Sequence, residues 1–135
     1  MTTPRLPLVL ILAGDALTRR TTASCLMTFG FEVLTAAEGA EAARLLAAEH
    51  RIAVMIVDAD LAGEVSGLTV ARMARDLNPK MSVIYTARFP HMIPESRKVR
   101  GAPSLRTPYY APQIVGLIGE LRAQRSASTP DRQAA

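Results

Sequence analysis

Three short apolar runs constrain the fold of this chain more than any other feature of its sequence. They are "LPLVLILAG" at 6–14, "IAVMIVD" at 52–58 and "MSVIYTA" at 81–87. A continuous apolar run of this length is typical of a strand that is buried on both faces. Such strands belong to parallel sheets with a layer of helices on each side, so the runs predict an α/β domain.

The residues between and after these runs supply the remaining elements. We predict two weaker strands, at 31–37 and 103–107, and helices at 16–29, 38–50, 68–77 and 111–123. Pro90 and Pro94 interrupt the segment after the 81–87 strand, so any helix there is expected to be short or irregular. This order of elements predicts a (βα)5 domain over residues 7–123, with a doubly wound, five-stranded parallel sheet of the flavodoxin type.

The chain ends and the composition limit the class of protein. With 135 residues we expect one folded domain, an N-terminal extension at 1–6 and a disordered tail at 124–135. No apolar run approaches the ~20 residues of a membrane span, and the N-terminus lacks the pattern of a signal peptide. The single Cys25 fits a reducing compartment. We therefore expect a cytoplasmic protein without a membrane partner.

The net charge of +4 raises the question of nucleic-acid binding. A nucleic-acid surface usually concentrates its basic residues on one face and adds aromatic rings on which bases stack. Here the basic residues are scattered along the chain, and only 4% of the residues are aromatic. We do not expect DNA or RNA to be a partner.

Polar residues lie at the predicted carboxyl ends of several strands. Asp58 ends the third strand and Asp60 follows it, Thr86 lies at the end of the fourth strand, and Thr107 at the end of the fifth. In open α/β sheets the functional crevice lies beyond the carboxyl ends of the strands, near the switch in strand order. We therefore predict that Asp58 faces a ligand or a transferred group.

These residues make the chain resemble the receiver domains of two-component response regulators. The resemblance covers about residues 7–122. Three segments carry it. They are the apolar strand ending in Asp58 together with the loop "DADLAGEVSG" that begins there, the strand "SVIYTA" that contains Thr86, and the segment "GAPSLRTPYY". The last segment is similar to the Gly-Ala…Lys-Pro-aromatic segment of the family. The resemblance implies a receiver-like fold and a signalling protein rather than an enzyme.

The resemblance also implies roles for individual residues. Asp58 would accept a phosphoryl group from a histidine kinase, and Thr86 would be the switch hydroxyl. In this family an acidic pair at the end of the first strand binds Mg²⁺, which offsets the repulsion between the phosphoryl anion and the carboxylate nucleophile. A lysine at the end of the fifth strand adds a cation at the developing charge.

The match to the family is partial. The acidic pair falls on Ala13 and Gly14, and the lysine falls on Thr107. Ser104 stands where an aromatic residue of the fifth strand is expected. These departures predict slow phosphorylation and a smaller switching response.

The remaining candidates for weak Mg²⁺ binding are Asp15, Asp58 and Asp60, the last at a position whose backbone carbonyl joins the metal shell in the family. These residues could instead have purely structural roles. Asp15 fits an N-cap of the first helix, and Asp58 an acid that caps the loop behind it. Thr86, likewise, fits a side chain that satisfies backbone groups at a strand end.

Three functions remain open. The first is a single-domain response regulator that docks on a histidine kinase or phosphotransfer protein and on a target, either as a phosphorylation switch at Asp58 or as a phosphorylation-independent pseudo-receiver. The second is a small-ligand binder on a flavodoxin-like sheet, although the first turn, "LAGDALT", lacks a phosphate-cradling loop. The third is a metal-assisted phosphatase that uses Asp58 and Asp60.

Overall fold

A computed structural model describes the backbone of residues 6–134 and the side chains of residues 6–125. Strands and α-helices alternate along the chain. They are β1 (Leu8–Leu12), α1 (Ala16–Thr28), β2 (Glu32–Ala36), α2 (Gly39–Ala48), β3 (Ile52–Asp58), α3 (Gly67–Leu77), β4 (Ser82–Ala87), β5 (Ser104–Arg106) and α4 (Pro112–Ala134).

The five strands form one parallel sheet in the order β2-β1-β3-β4-β5. The chain first adds β2 on one side of β1 and then returns to add β3 on the other side. The switch point of the sheet therefore lies between β1 and β3. This confirms the predicted doubly wound α/β fold and its parallel five-stranded sheet.

The apolar side chains of β1 alternate between two cores. Leu10 and Leu12 belong to a cluster that includes Leu46 of α2 and Val70 of α3. Val9 and Ile11 belong to the opposite cluster, as do Leu26 of α1 and Ile114 and Ile118 of α4. The period of two in a strand places successive side chains on opposite faces, so continuous apolar strands serve both helical layers.

The segment between β4 and β5 has two 3-10 turns, Pro90–Met92 and Glu95–Arg97, in place of a regular helix. Proline lacks a backbone N–H and disfavours helical backbone in the residue before it. Pro90 begins the first turn and Pro94 precedes the second. The predicted irregularity of this segment is confirmed.

The last helix differs from the prediction. It runs from Pro112 to Ala134 rather than ending at 123. Arg122, Ala123, Gln124 and Arg125 are good helix formers and account for the helical backbone just beyond 123, whereas Pro130 is not one. Residues 1–5 of the predicted N-terminal extension, and residue 135, lie outside the described residues. None of the described helices combines the length and the hydropathy that a membrane crossing requires.

Candidate functional site

Asp58 is the last residue of β3, a central strand of the sheet. On one side it is in register with Thr86 of β4. On the other side Val57 is in register with Leu12, so the β1 turn that contains Gly14 lies beside Asp58. The strand thus places the carboxylate at the carboxyl edge of the sheet, at the switch between β1 and β3, as predicted.

The Asp58 side chain is half-buried. Its Oδ1 accepts a hydrogen bond of 2.9 Å from the backbone N–H of Asp60. Burial raises the pKa of the Asp58 carboxyl above its ordinary value, while the backbone N–H groups of Asp60 and Gly14 lower it. The Asp60 carboxylate raises this pKa further and Arg88 lowers it. Desolvation is the dominant cause, so the ionised form of Asp58 is less favourable here than in water.

Asp60 directs its carboxylate to the loop after β4. Its Oδ2 accepts a hydrogen bond of 2.9 Å from the backbone N–H of Arg88 and lies 3.8 Å from Nε of the same residue. Arg88 therefore brings a cation to the neighbourhood of Asp58, a contribution that the sequence analysis missed. Its position two residues after Thr86, at the same edge of the sheet, is the signal that points to it.

Asp15 is the N-cap of α1. Its Oδ2 accepts hydrogen bonds from both the backbone N–H of Thr18, at 2.8 Å, and the Thr18 hydroxyl, at 2.6 Å. These bonds lower the pKa of the Asp15 carboxyl. Since the carboxylate is turned to the first turn of its own helix, Asp15 has the structural role that the sequence left as an alternative.

The residues present do not fit a tight Mg²⁺ site built from protein side chains alone. Within residues 6–125, whose side chains are described, no three acidic, histidine or cysteine side chains form a group that could hold a metal ion. The structure thus brings Asp58 and Asp60 together but does not add Asp15 to them. Ala13 is buried in the core on the α1 and α4 side, and Gly14 has no side chain. Mg²⁺ often binds through one or two carboxylates and several waters, but here Asp15 caps α1 and Asp60 is paired with Arg88, so any binding at this edge is expected to be weak.

The Thr86 side chain is buried, with 4% of its surface exposed. Its hydroxyl lies 3.4 Å from the carbonyl oxygen of Val57, to which it donates, and its own carbonyl accepts a 2.8 Å hydrogen bond from Ala59 N–H. The structure therefore places Thr86 next to Asp58, as predicted, with its hydroxyl directed to the backbone of β3.

Thr107 follows β5, and its backbone N–H donates to the carbonyl of Ala87 at 2.9 Å. It lines a cavity of about 180 Å³ together with Thr22 of α1 and Tyr109. The Tyr109 hydroxyl and the Thr22 hydroxyl are hydrogen-bonded at 2.6 Å. Burial raises the pKa of Tyr109, and the negative charge of Asp58 raises it further. Tyr109 is thus a second neighbour of the site that the sequence analysis did not assign, and a hydroxyl rather than an ammonium group stands at position 107.

This arrangement has definite chemical limits. Asp58 offers a carboxylate nucleophile with access from solvent, and Arg88 and backbone N–H groups offer limited charge stabilisation. Phosphoryl transfer to a carboxylate depends on stabilising negative charge in the transition state. Such a transition state would find few stabilising cations or metal ligands at this edge of the sheet.

Comparisons with known proteins place this geometry in a structural context. No protein-family model matches the sequence, and no curated protein matches it either. A response regulator receiver protein from Sinorhizobium medicae has a TM-score of 0.79 at 24% identity, over 85% of this chain and 93% of that chain. A CheY-like receiver domain protein from Methanospirillum hungatei has a TM-score of 0.79 at 22% identity, over 90% and 98%.

A third similar structure is the response regulator protein TrrA from Thermotoga maritima, solved in complex with Mg²⁺ and BeF. Its TM-score is 0.71 at 18% identity, over 86% of this chain and 99% of that chain. At identities of this size the likeness establishes the architecture, and each comparison covers most of both chains. The chain has the fold of response regulator receiver domains.

Proposed function

We propose that this chain is a receiver-like signalling protein that acts by docking on other proteins, with Asp58 as its phosphoacceptor. Its partners would be a histidine kinase or a phosphotransfer protein, and a protein target in the cytoplasm. One observation carries the proposal: a half-buried carboxylate ends β3 at the switch point of a receiver fold, in register with Thr86. On this proposal the chain has no catalytic turnover of its own.

The proposed transfer is intrinsically slow. A carboxylate oxygen of Asp58 attacks phosphorus, a P–O bond forms, and the P–N bond to the kinase histidine breaks, returning the electron pair to the imidazole. Thr107 supplies no cation to this step, and Gly14 supplies no metal ligand. A docked partner compensates in part, because it holds the phosphohistidine in line with the carboxylate.

A phosphorylation-independent pseudo-receiver is the second candidate, and one contact favours it. The Asp60 carboxylate is already bound to Arg88 by a backbone hydrogen bond and an ion pair. This contact connects the loop after β3 to the loop after β4 through groups of the chain itself. In that case docking would use a preformed surface, and Asp58 would have only a structural role.

The test is the intact mass of the protein after incubation with phosphoramidate and Mg²⁺, followed by mapping of the modified residue. We expect a slow gain of one phosphoryl group on Asp58 in the wild type. Asp58→Asn should gain none. Modification that persists in Asp58→Asn would contradict the assignment of Asp58. No gain even in a variant with a restored acidic pair and lysine would favour the pseudo-receiver.

A further inference from the structure

A second cavity lies at the end of the sheet opposite to Asp58. It has a volume of about 610 Å³ and opens where β4 begins, between the carboxyl end of α3 and the later turns of α4. Asp58 is in register with Thr86, near the end of β4, whereas the cavity is lined by residues 79–83 at its start. The two sites are therefore separated by the length of this strand.

The lining of this cavity is strongly basic. Arg75, Lys80, Arg100 and Arg125 all contribute to it, and none of its lining residues within the described part of the chain is acidic. Like charges in one concave site repel each other, and their fields add at its centre. Such a cavity attracts an anion with more than one negative charge.

Arg75 is the least exposed of these four basic residues. Its Nη1 donates a 2.8 Å hydrogen bond to the backbone carbonyl of Arg100. Its Nε is buried, and no group among the described residues accepts a hydrogen bond from it. Burial lowers the pKa of this guanidinium; the nearby Tyr85 raises it, and Arg125 lowers it again. Arg75 therefore reaches the cavity as a half-buried cation that its bond to Arg100 holds in place.

Further groups of the cavity are fixed by contacts across the chain. Arg125 of α4 donates through Nη2 to the backbone carbonyl of Lys80 and, at 3.2 Å, to the hydroxyl of Ser82. The apolar part of the wall comes from Met81, Val83 and Leu121. Charged donors therefore lie next to apolar side chains, and small-molecule sites usually contain both.

We propose that this basic cavity binds a small molecule that carries two or more phosphate groups. Guanidinium groups bind phosphate oxygens in bidentate fashion, and several of them match a polyphosphate better than a single carboxylate. The volume is in the range of ligand sites, roughly 300–1,000 Å³. A nucleoside would also contact the half-buried Leu121, whereas a free polyphosphate would use only the cations. This site does not depend on the proposed function of Asp58.

The first experiment measures ADP binding by calorimetry in a pair of charge-matched variants. Lys80→Glu with Arg100→Glu changes the cavity, and Arg44→Glu with Arg122→Glu makes the same change of net charge at exposed positions outside its lining. We expect ADP affinity to fall about tenfold or more in the first variant and less than about twofold in the second. An equal loss in both variants would overturn the proposal, because it would show that only the overall charge matters.

The second experiment identifies the source of the phosphate and the place where it binds. Amide NMR spectra are compared on addition of ADP, inorganic pyrophosphate and adenosine. Shifts confined to the lining of the cavity, at residues 75, 80–83, 100–101 and 121–125, with ADP and pyrophosphate and absent with adenosine, support the proposal. Tighter binding of ADP identifies a nucleotide, and equal binding identifies a free polyphosphate. Shifts centred on residues 58–60, or no shifts with either phosphate compound, would overturn it.

Discussion

Gly14 lies directly beside the carboxylate of Asp58: a Cβ atom at position 14 would be 4.0 Å from Oδ2 of Asp58. The nearest atom to such a Cβ would be Cδ1 of Leu61, at 3.3 Å, which is the end of a flexible side chain. Gly14 is not among the glycines with positive φ, so its backbone accepts other residues. The backbone at position 14 therefore leaves room for a side chain beside Asp58, and glycine supplies none there.

If Asp15 is a helix cap, its replacement should change the stability of the fold but not the rate of phosphorylation. Asp15→Ala should lower the melting temperature, whereas Asp15→Asn should preserve it, because asparagine is an equally good N-cap. Both variants should take up phosphoryl groups from phosphoramidate at the wild-type rate. A rate loss in both variants would show instead that the carboxylate is a metal ligand.

The same cap has a defined pH dependence. Hydrogen bonds from Thr18 lower the pKa of Asp15 below its ordinary value of 3.8 in the folded state. Its stabilisation is therefore present above about pH 3.8 and is lost as the pH falls through the folded-state value. Urea unfolding from pH 2 to pH 7 should show the wild type losing its advantage over Asp15→Ala only at the acid end.

Asp58 should show the opposite pH dependence. Burial is the main cause that raises the pKa of the Asp58 carboxyl in the folded state. The protonated carboxyl therefore stabilises the folded state relative to the ionised one, and this stabilisation is lost as the pH rises through the folded-state pKa. Asp58→Asn should therefore be more stable than the wild type at pH 7, with a difference that shrinks towards pH 4. Asp76→Asn, at an exposed position of α3, is the control and should change little. A wild type as stable as Asp58→Asn at pH 7 would contradict the desolvation argument.

Tyr85 should anchor the irregular segment between β4 and β5. Its side chain is fully buried, and its hydroxyl accepts a 2.9 Å hydrogen bond from the backbone N–H of Val99. Tyr85→Phe removes the acceptor and should lower the free energy of unfolding by about 1 kcal/mol or more. Tyr110→Phe, at a residue that is 72% exposed, should change it by less than about 0.5 kcal/mol. Hydrogen exchange at Val99 should be faster in Tyr85→Phe alone.

Arg88 should assist Asp58 only modestly. Its ion pair with Asp60 is largely exposed, and exposed pairs contribute about 1 kcal/mol or less. We expect Arg88→Gln to slow phosphorylation of Asp58 by no more than about fivefold, and Arg97→Gln, at an exposed arginine of the second 3-10 turn, to leave the rate unchanged. A much larger loss in Arg88→Gln would mean that this arginine replaces the family lysine.

The sequence predicts the sheet well because buried strands have a direct signature. The runs around β1, β3 and β4 are apolar on both faces, and this pattern alone implies two helical layers. The placement of Asp58 next to Thr86 follows from the same argument, since the carboxyl ends of parallel strands meet at one edge. The two prolines between β4 and β5 likewise predict that no regular helix forms there.

Contacts between distant parts of the chain are not visible in such patterns. Asp60 and Arg88 are 28 residues apart, and Tyr109 meets Thr22 across 87 residues. The basic cavity is lined by α3, the start of β4, the loop before β5 and α4, and each of these four segments contributes one basic residue. Periodicity describes which face a residue occupies, but the partner of a polar side chain depends on how the layers pack.

The rate of phosphorylation of Asp58 tests the central claim, that missing side chains and not the backbone limit this site. Intact mass is followed over time with phosphoramidate and Mg²⁺ for the wild type and for Ala13→Asp, Gly14→Asp, Thr107→Lys. Since Ala13 is buried, the double variant Gly14→Asp, Thr107→Lys is measured beside it, and circular dichroism verifies that both variants fold. We predict that the restored variants react on the order of a hundredfold faster than the wild type, and that adding Asp58→Asn abolishes the reaction. A wild type that is modified on Asp58 as fast as the folded, restored variants would contradict the account.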